Sequence, residues 1–402
     1  MLEYWRPDRY SDRADGPHNG VRFAVTRIER EAASMTTTPQ PPRATPSKSS
    51  QAKSSQAKSS PSKPSPSKNV RLQDVAELAG VSMKTVSNVV HDYPHVSPGV
   101  RTRVEAAIAE LGYRPNLSAR RLVTGRTGML ALAFSDVSLP YFAELARVVA
   151  IEAEKRGYRL LLEQTDGRIE RERSIVSTRE AGLVDGVIFQ PSVMTSTEIS
   201  QHRKDVPLVL LGEGPAPLSV DHVMIDNFVA ASEATSHLVA LGRRRIGFVG
   251  HEEDAPSETS LRRLEGYQEV LRTAGIPLDM SLLLATSEIS SHSAALAVGA
   301  ALDRGVTFDA LACRDDLAAI GALRAIQERG LSVPGDVALV GWDNISMAAF
   351  THPTLTTVAA DTLALATTAL DLLEERIGGF TGLGRHRIAG HSLVVRESAP
   401  PA

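Results

Sequence analysis

LQDVAELAGVSMKTVSNVV, residues 72–90, reads as two short helices joined by a tight turn. Leu72, Val75, Ala76 and Ala79 recur at helical spacing, Gly80 supplies the turn where a side chain would collide, and the Ser82 hydroxyl is placed to cap the second helix. Val86, Val89 and Val90 fall inward. Met83, Lys84, Ser87 and Asn88 fall on the opposite side as two i,i+4 pairs, forming a strip with donors, an acceptor and an apolar tip. Such a strip can meet base edges and phosphates in a major groove. Lys84 can donate to guanine O6 and N7, Met83 offers contact to a thymine methyl, and Ser82 and Thr85 are set to anchor phosphates. The same pattern also suits an ordinary helical hairpin inside a larger core.

The residues beyond Val90 separate the two readings. Ser97-Pro98 places a hydroxyl before a proline suited to a first helical turn, and Val100, Val104, Ile108 and Leu111 continue with helical period until Gly112. A basic linker comes next, with one helix-prone stretch between Pro115 and Gly125. The order of DVAELAGVSMKTVS, then SPGVRTRVEAAIAELGYRPN, then ARRLVTGRTG resembles the LacI/GalR family of bacterial transcription regulators. The resemblance is collinear over residues 70 to 128, continues beyond, and leaves only the first 68 residues outside it. It implies a helix-turn-helix head in which Met83 and Lys84 are the main base discriminators. It also implies a hinge in which Asn116, Ala119 and Arg120 meet DNA and Leu122 is the minor-groove wedge. The six to eight hinge residues that could be helical fall short of the roughly 12 an isolated helix needs, so the hinge should order only when packed on its partner and on DNA.

Composition agrees. The chain has 402 residues, 42% of them hydrophobic and 4% aromatic, which suits a multi-domain alanine-rich protein. Its net charge of -3 hides an asymmetry: Arg43, Lys48, Lys53, Lys58, Lys63 and Lys68 stand in residues 35–68 without one acid. A basic front and an acidic back suit a protein that touches nucleic acid at one end. Residues 36–68 are almost all Thr, Pro, Ser, Gln, Ala and Lys, a composition that cannot bury a core and is expected to be disordered. They read either as a phosphate clamp or as a solvated tail, including translation upstream of a start at Met35. Cys313 is the sole cysteine, which points to a reducing cytoplasm, and no apolar run approaches the roughly 20 residues that span a bilayer. The N-terminus has no secretory apolar core, so export is not expected.

From Gly128 strands and helices alternate. Strands are expected at 129–134, 158–163, 186–190, 208–211, 245–250, 282–284, 310–313 and 337–341. Helices are expected over Tyr141–Arg156, Glu170–Ala181, Ser260–Ala274, Ala294–Arg304 and Leu317–Arg329. Two doubly wound parallel-sheet α/β lobes result, resembling the periplasmic-binding-protein-like core of the family, with crossings expected near 224 and 346 and a late return near 380. A ligand would lie beyond the strand ends, between the lobes. Asp136, Tyr141, Phe142, Gln190, Arg263, Asp315, Trp342 and Asp343 stand where they could line that cleft, polar groups bonding hydroxyls and an aromatic covering an apolar face. The resemblance supports Arg263, Asp315 and Asp343 most. This sequence departs from it in carrying Arg314 where the family usually has Asn, and in lacking an aromatic at Thr286-Ser287-Glu288.

No catalytic constellation accompanies these residues. Gly212-Glu213-Gly214 lacks the third glycine and the helix of a dinucleotide fingerprint, and there is no P-loop, HExxH or cysteine pair. A free solute-binding protein would share the two lobes but not the head. The expectation is therefore a cytoplasmic, non-enzymatic, sequence-specific regulator without metal or cofactor. It comprises a tail (1–68), a head (69–114), a hinge (115–128) and an effector-binding and dimerisation core (129–402). It would bind a pseudo-palindromic double-stranded operator as a homodimer or a tetramer, and a sugar or related metabolite would control it. The apolar helices Ala143–Ala153 and Leu363–Leu373 are the expected dimer surfaces.

Overall fold

The computed structural model describes residues 70–90, 93–113, 126–176, 182–202, 206–214, 216–252 and 256–401. The tail over 1–68, the hinge residues Asn116, Ala119, Arg120 and Leu122, and the end of the helix expected to reach Ala181 lie outside them.

The head is three helices, α1 (Leu72–Ala79), α2 (Met83–Val90) and α3 (Pro98–Leu111). The Asp74 carboxylate accepts from the Arg71 backbone N–H at 2.7 Å, closing the start of α1. Gly80 ends α1 with φ 64° and ψ 41°, a left-handed geometry in which a side chain is strained. Ser82 Oγ accepts from the Thr85 N–H at 3.1 Å, which is the expected cap of α2. Ser97 stands at the start of α3, but its hydroxyl takes no helix N–H; its carbonyl accepts from Val100 and Arg101 instead. Val75, Ala76, Ala79, Val86, Val89, Val104 and Ala107 make a small core of their own. Val75, Val86 and Val104 are wholly buried, and each such valine contributes roughly 1.5–3 kcal/mol.

Lobe one begins with β1 (Met129–Phe134), α4 (Pro140–Lys155), β2 (Arg159–Gln164), α5 (Ile169–Val176), β3 (Gly186–Phe189), α6 (Ser196–His202), β4 (Leu208–Leu211) and β5 (Asp221–Ile225). Lobe two continues with α7 (Asn227–Ala240), β6 (Ile246–His251), α8 (Glu258–Thr273), β7 (Leu283–Ala285), α9 (Ser291–Asp303), β8 (Ala310–Cys313), α10 (Asp316–Glu328), β9 (Ala338–Trp342) and β10 (Thr356–Ala360). Then come α11 (Thr362–Ile377), β11 (His386–Ala389) and β12 (His391–Val394). The sheet of lobe one runs β2-β1-β3-β4-β5-β11, parallel throughout. That of lobe two runs β7-β6-β8-β9-β10-β12 and is parallel except for β12, which pairs antiparallel with β10. Every residue of β3, β4, β8 and β9 is buried, as expected of central parallel strands covered on both faces.

The first crossing falls after Ile225, close to the expected position. The second does not lie near 346. Ser346–Ala349 is a 3-10 turn that leads into β10, still in the second sheet, and the chain returns only at Asp361, where α11 packs on β3, β4 and β5. The third crossing is at Gly390, between β11 and β12, rather than near 380. The apolar faces of α4 and α11 are used differently from expectation. Leu145, Val149, Leu365, Leu370 and Leu373 are buried in the chain's own core, and the two helices pack on each other. Ile151 and Leu363 remain exposed. No helix among the described residues is long and apolar enough to cross a membrane.

Candidate functional site

On the head, the outer side of α2 is open. Ser82, Met83 and Lys84 are exposed, Met83 to 53%, and Thr85, Ser87 and Asn88 are half-buried. An uncovered methionine is informative because its apolar surface is not used by the head's own core. The Ser82 and Thr85 hydroxyls share a hydrogen bond of 2.9 Å beside the cap, so these two side chains also hold the start of α2. The Asn88 carbonyl accepts from Tyr93 N–H at 2.9 Å and ties the helix end to the next segment.

Between the lobes, one cleft of about 650 Å³ is lined by all eight side chains singled out in the sequence, Asp136, Tyr141, Phe142, Gln190, Arg263, Asp315, Trp342 and Asp343. That size falls in the range of small-molecule sites. Arg263 is central to the wall of lobe two. Its position depends on Gly266, one turn further along α8: a Cβ there would come within 2.4 Å of the Phe228 carbonyl, so only glycine lets α8 lie this close to α7. Arg263 Nε donates to Asn227 Oδ1 at 2.8 Å and Nη1 donates to the Arg314 carbonyl. The guanidinium lies 4.0 Å over the Trp342 ring. Trp342 is therefore a buried shelf for Arg263, and Tyr141 and Phe142 add aromatic surface to the same cavity.

Asp315 caps α10, accepting from the Ala318 N–H at 2.7 Å, and its other oxygen accepts from Arg314 Nε at 3.0 Å. Both carboxylate oxygens are thus engaged within the chain. Arg314 is buried and also donates to the Gly250 carbonyl and to Glu252 Oε1, at 3.1 and 3.0 Å. Asp343 and Asn344 carry φ values of 100° and 51°, uncommon for residues with side chains and a sign of a turn held by its surroundings. The holding groups are Asp316, Thr357 and Arg396. Asp316 accepts from Thr357 Oγ1 at 2.6 Å and from Ile345 N–H at 2.9 Å, and Arg396 Nη2 donates to Asn344 Oδ1 at 2.7 Å. Burial pushes the Asp316 carboxyl up to about 7, and burial also raises Asp343 well above the carboxylate range despite nearby Arg263. A raised Asp343 can both donate to and accept from a hydroxyl.

The wall of lobe one is more weakly bonded. Tyr141 and Phe142 open α4; Phe142 stacks on Phe134 with ring centres 5.0 Å apart, and Tyr141 meets Phe142 edge-on at 5.3 Å. Asp136 accepts from Ser138 N–H at 2.8 Å, and Gln190 stands just past the end of β3. Burial first, then Asp343, raises the Tyr141 phenol, so it stays a neutral hydroxyl. The lobes also touch directly: Glu144 Oε1 accepts from the Ser346 N–H and hydroxyl at 2.9 and 2.7 Å. Asn227, Glu252 and the anchoring role of Asp316 were missed in the sequence. Asn227 comes after a strand, β5, that polar residues disguise, and the other two act through partners distant in the chain.

Residues 71–116 match the family described as bacterial regulatory proteins, lacI family, and residues 235–399 match the periplasmic binding protein-like domain. The HTH-type transcriptional regulator DegA of Bacillus subtilis (strain 168) is 30% identical over 350 residues, covering 82% of this chain and 98% of DegA. The chain belongs to the LacI family. Among solved structures of that family, the transcriptional regulator CelR–cellobiose complex is 32% identical with a TM-score of 0.60, covering 82% of this chain and 99% of CelR. The lac repressor dimer bound to operator and the anti-inducer ONPF is 28% identical with a TM-score of 0.70, covering 83% of this chain and all of that one. A LacI-family chain of this architecture is a DNA-binding transcriptional regulator and not an enzyme.

Proposed function

We propose that the chain is a cytoplasmic repressor that binds a pseudo-palindromic operator as a homodimer and is controlled by a sugar-like effector in the inter-lobe cleft. The head, over 69–114, reads base edges with Met83, Lys84, Ser87 and Asn88, while Ser82 and Thr85 anchor phosphates. The hinge, over 115–128, brings Asn116, Ala119 and Arg120 to the backbone and Leu122 into the minor groove. One head covers only a few base pairs, so specific affinity at cellular salt calls for two. The observation that carries the effector reading is the convergence of all eight chosen side chains on a single cavity. Arg263, Asp343, Tyr141 and Gln190 supply donors and acceptors for hydroxyls, and Phe142 supplies an apolar face. Two relatives support the reading by what they hold, one with cellobiose and one as a dimer on operator DNA.

Lys84→Ala tests the base-reading part. It should weaken a preferred operator by about 1–3 kcal/mol while leaving binding to random duplex near its original strength. Fluorescence anisotropy on the two DNAs at one salt concentration measures both, and an equal loss on both would make Lys84 a phosphate contact only.

A further inference from the structure

The linker enters lobe one through a clamp made by a single carboxylate. Asp185, the residue before β3, accepts from the Thr127 N–H at 2.6 Å with one oxygen and from the Gly128 N–H at 2.7 Å with the other. Its own N–H donates to the Met129 carbonyl at 2.7 Å, and the Gly128 carbonyl accepts from the Arg159 N–H at 2.9 Å. Two successive N–H groups converge on one carboxylate because the chain turns at Gly128, with φ 71°. A Cβ there would have free space, so the turn and not crowding calls for glycine. Thr127 Oγ1 accepts from the Met129 N–H at 3.1 Å and closes the same turn. Thr127, Gly128 and Asp185 are half-buried, and hydrogen bonds to an ionised carboxylate are roughly twice as strong as neutral ones. β1 is already paired with β2 from Met129 and with β3 from Leu130. What the carboxylate adds is a fixed direction in which the last two linker residues leave the sheet.

We infer that Asp185 is a positioning residue for DNA binding: by fixing where the linker leaves lobe one, it sets the separation of half-sites that the two heads of a dimer accept. The inference rests on the proposed dimer on a pseudo-palindromic operator. One base pair more or less between half-sites moves a head by about 3.4 Å along the duplex and turns it by about 35°. Freeing Thr127 and Gly128 would give each linker up to about 7 Å of further reach, at about 3.3–3.6 Å per extended residue, which absorbs that displacement. The clamped linker therefore rejects altered spacings that a freed one would tolerate. It also keeps the second head concentrated at its own half-site once the first has bound.

Fluorescence anisotropy of the full chain at fixed salt tests it on a duplex selected from a random pool and on the same duplex with one base pair inserted or removed at its centre. Wild type should bind the altered duplexes roughly thirtyfold more weakly than the selected one. Asp185→Ala should bind the selected duplex roughly tenfold more weakly than wild type does and discriminate against the altered duplexes by only about threefold. Asp185→Asn keeps one accepting oxygen in nearly the same shape, so its discrimination should fall between the two, and it decides the matter if urea unfolding shows the alanine variant to be misfolded. A wild-type ratio in the folded variants, whether or not their affinity falls, would leave Asp185 as a structural support of β3 and overturn the inference. A wild type that ignores the spacing would instead remove the dimer-on-operator reading, and the inference with it.

Discussion

The two walls of the cleft are held by different means. In lobe two, Arg263, Arg314, Asp315 and Glu252 bond to one another and to the backbone, and Asp316, Thr357 and Arg396 fix the strained turn that carries Asp343. In lobe one, Tyr141 and Phe142 are placed by ring packing, and among the described residues the Asp136 carboxylate bonds within its own turn. A network of charge-assisted hydrogen bonds in a partly buried wall resists rearrangement, whereas stacked rings on a helix start can shift at small cost. On the proposed effector reading, lobe two is the preformed receptor and lobe one the side expected to close on it. The Glu144 contact to Ser346 already joins the two at the cavity's rim.

The difference can be broken at its strongest point first. Arg263→Ala removes the donor to Asn227, uncovers Trp342 and leaves Asp343 without its cationic neighbour. Ligand affinity should fall by about 3 kcal/mol, roughly a hundredfold, in calorimetric titration. A loss below tenfold would deny lobe two its leading role.

Asp316 tests what holds the turn. Its folded-state value of about 7 lies above the ordinary 3.8, so its share of stability is complete at low pH and is lost as pH rises through about 7. Asp316→Asn lacks that titration. The stability gap, wild type minus variant, should shrink by about 3 kcal/mol or less between roughly pH 4 and pH 8 in urea unfolding. A gap that stays constant would show that the carboxyl is not perturbed in this way. The smallest effect is expected on the other wall. Phe142→Ala should cost the ligand about 1 kcal/mol, because only packing is lost and the neighbouring rings can resettle. A loss as large as that of Arg263→Ala would erase the contrast between the lobes.

How much could be read from the sequence obeys the same physics. The head was legible because its helices, turn and cap are local: Gly80, Ser82 and the inward valines act within a few residues of one another. Central strands such as Ala310–Cys313 were legible as unbroken apolar runs. The strand β5 was not, because it contains Asp221 and His222. Asp221 is buried and bonds to Arg376 and Arg385, more than 150 residues onward, so no local pattern reveals why a strand tolerates it. Those two arginines outweigh the burial that opposes its ionisation and hold its carboxyl below the ordinary range. The crossings at Asp361 and Gly390 were misplaced for a related reason: β10, β11 and β12 are short and rich in Thr, His and Ser. In the cleft, strand-end position identified the lining residues, but not that Arg263 would cover Trp342 or that Asp315 would be taken up by a helix start.

The central claim is that one chain reads DNA with its head and is governed through Arg263 in its cleft. It is tested most directly by measuring operator affinity of the full chain, wild type and Arg263→Ala, with and without a saturating cleft ligand. The duplex would be selected from a random pool, and binding followed by fluorescence anisotropy at fixed salt. Both proteins should bind the selected duplex equally in the absence of ligand. The ligand should change wild-type affinity by roughly tenfold or more and leave the variant's unchanged. A variant that responds to ligand as the wild type does, or a wild type whose operator affinity ignores a ligand bound in the cleft, would contradict the account.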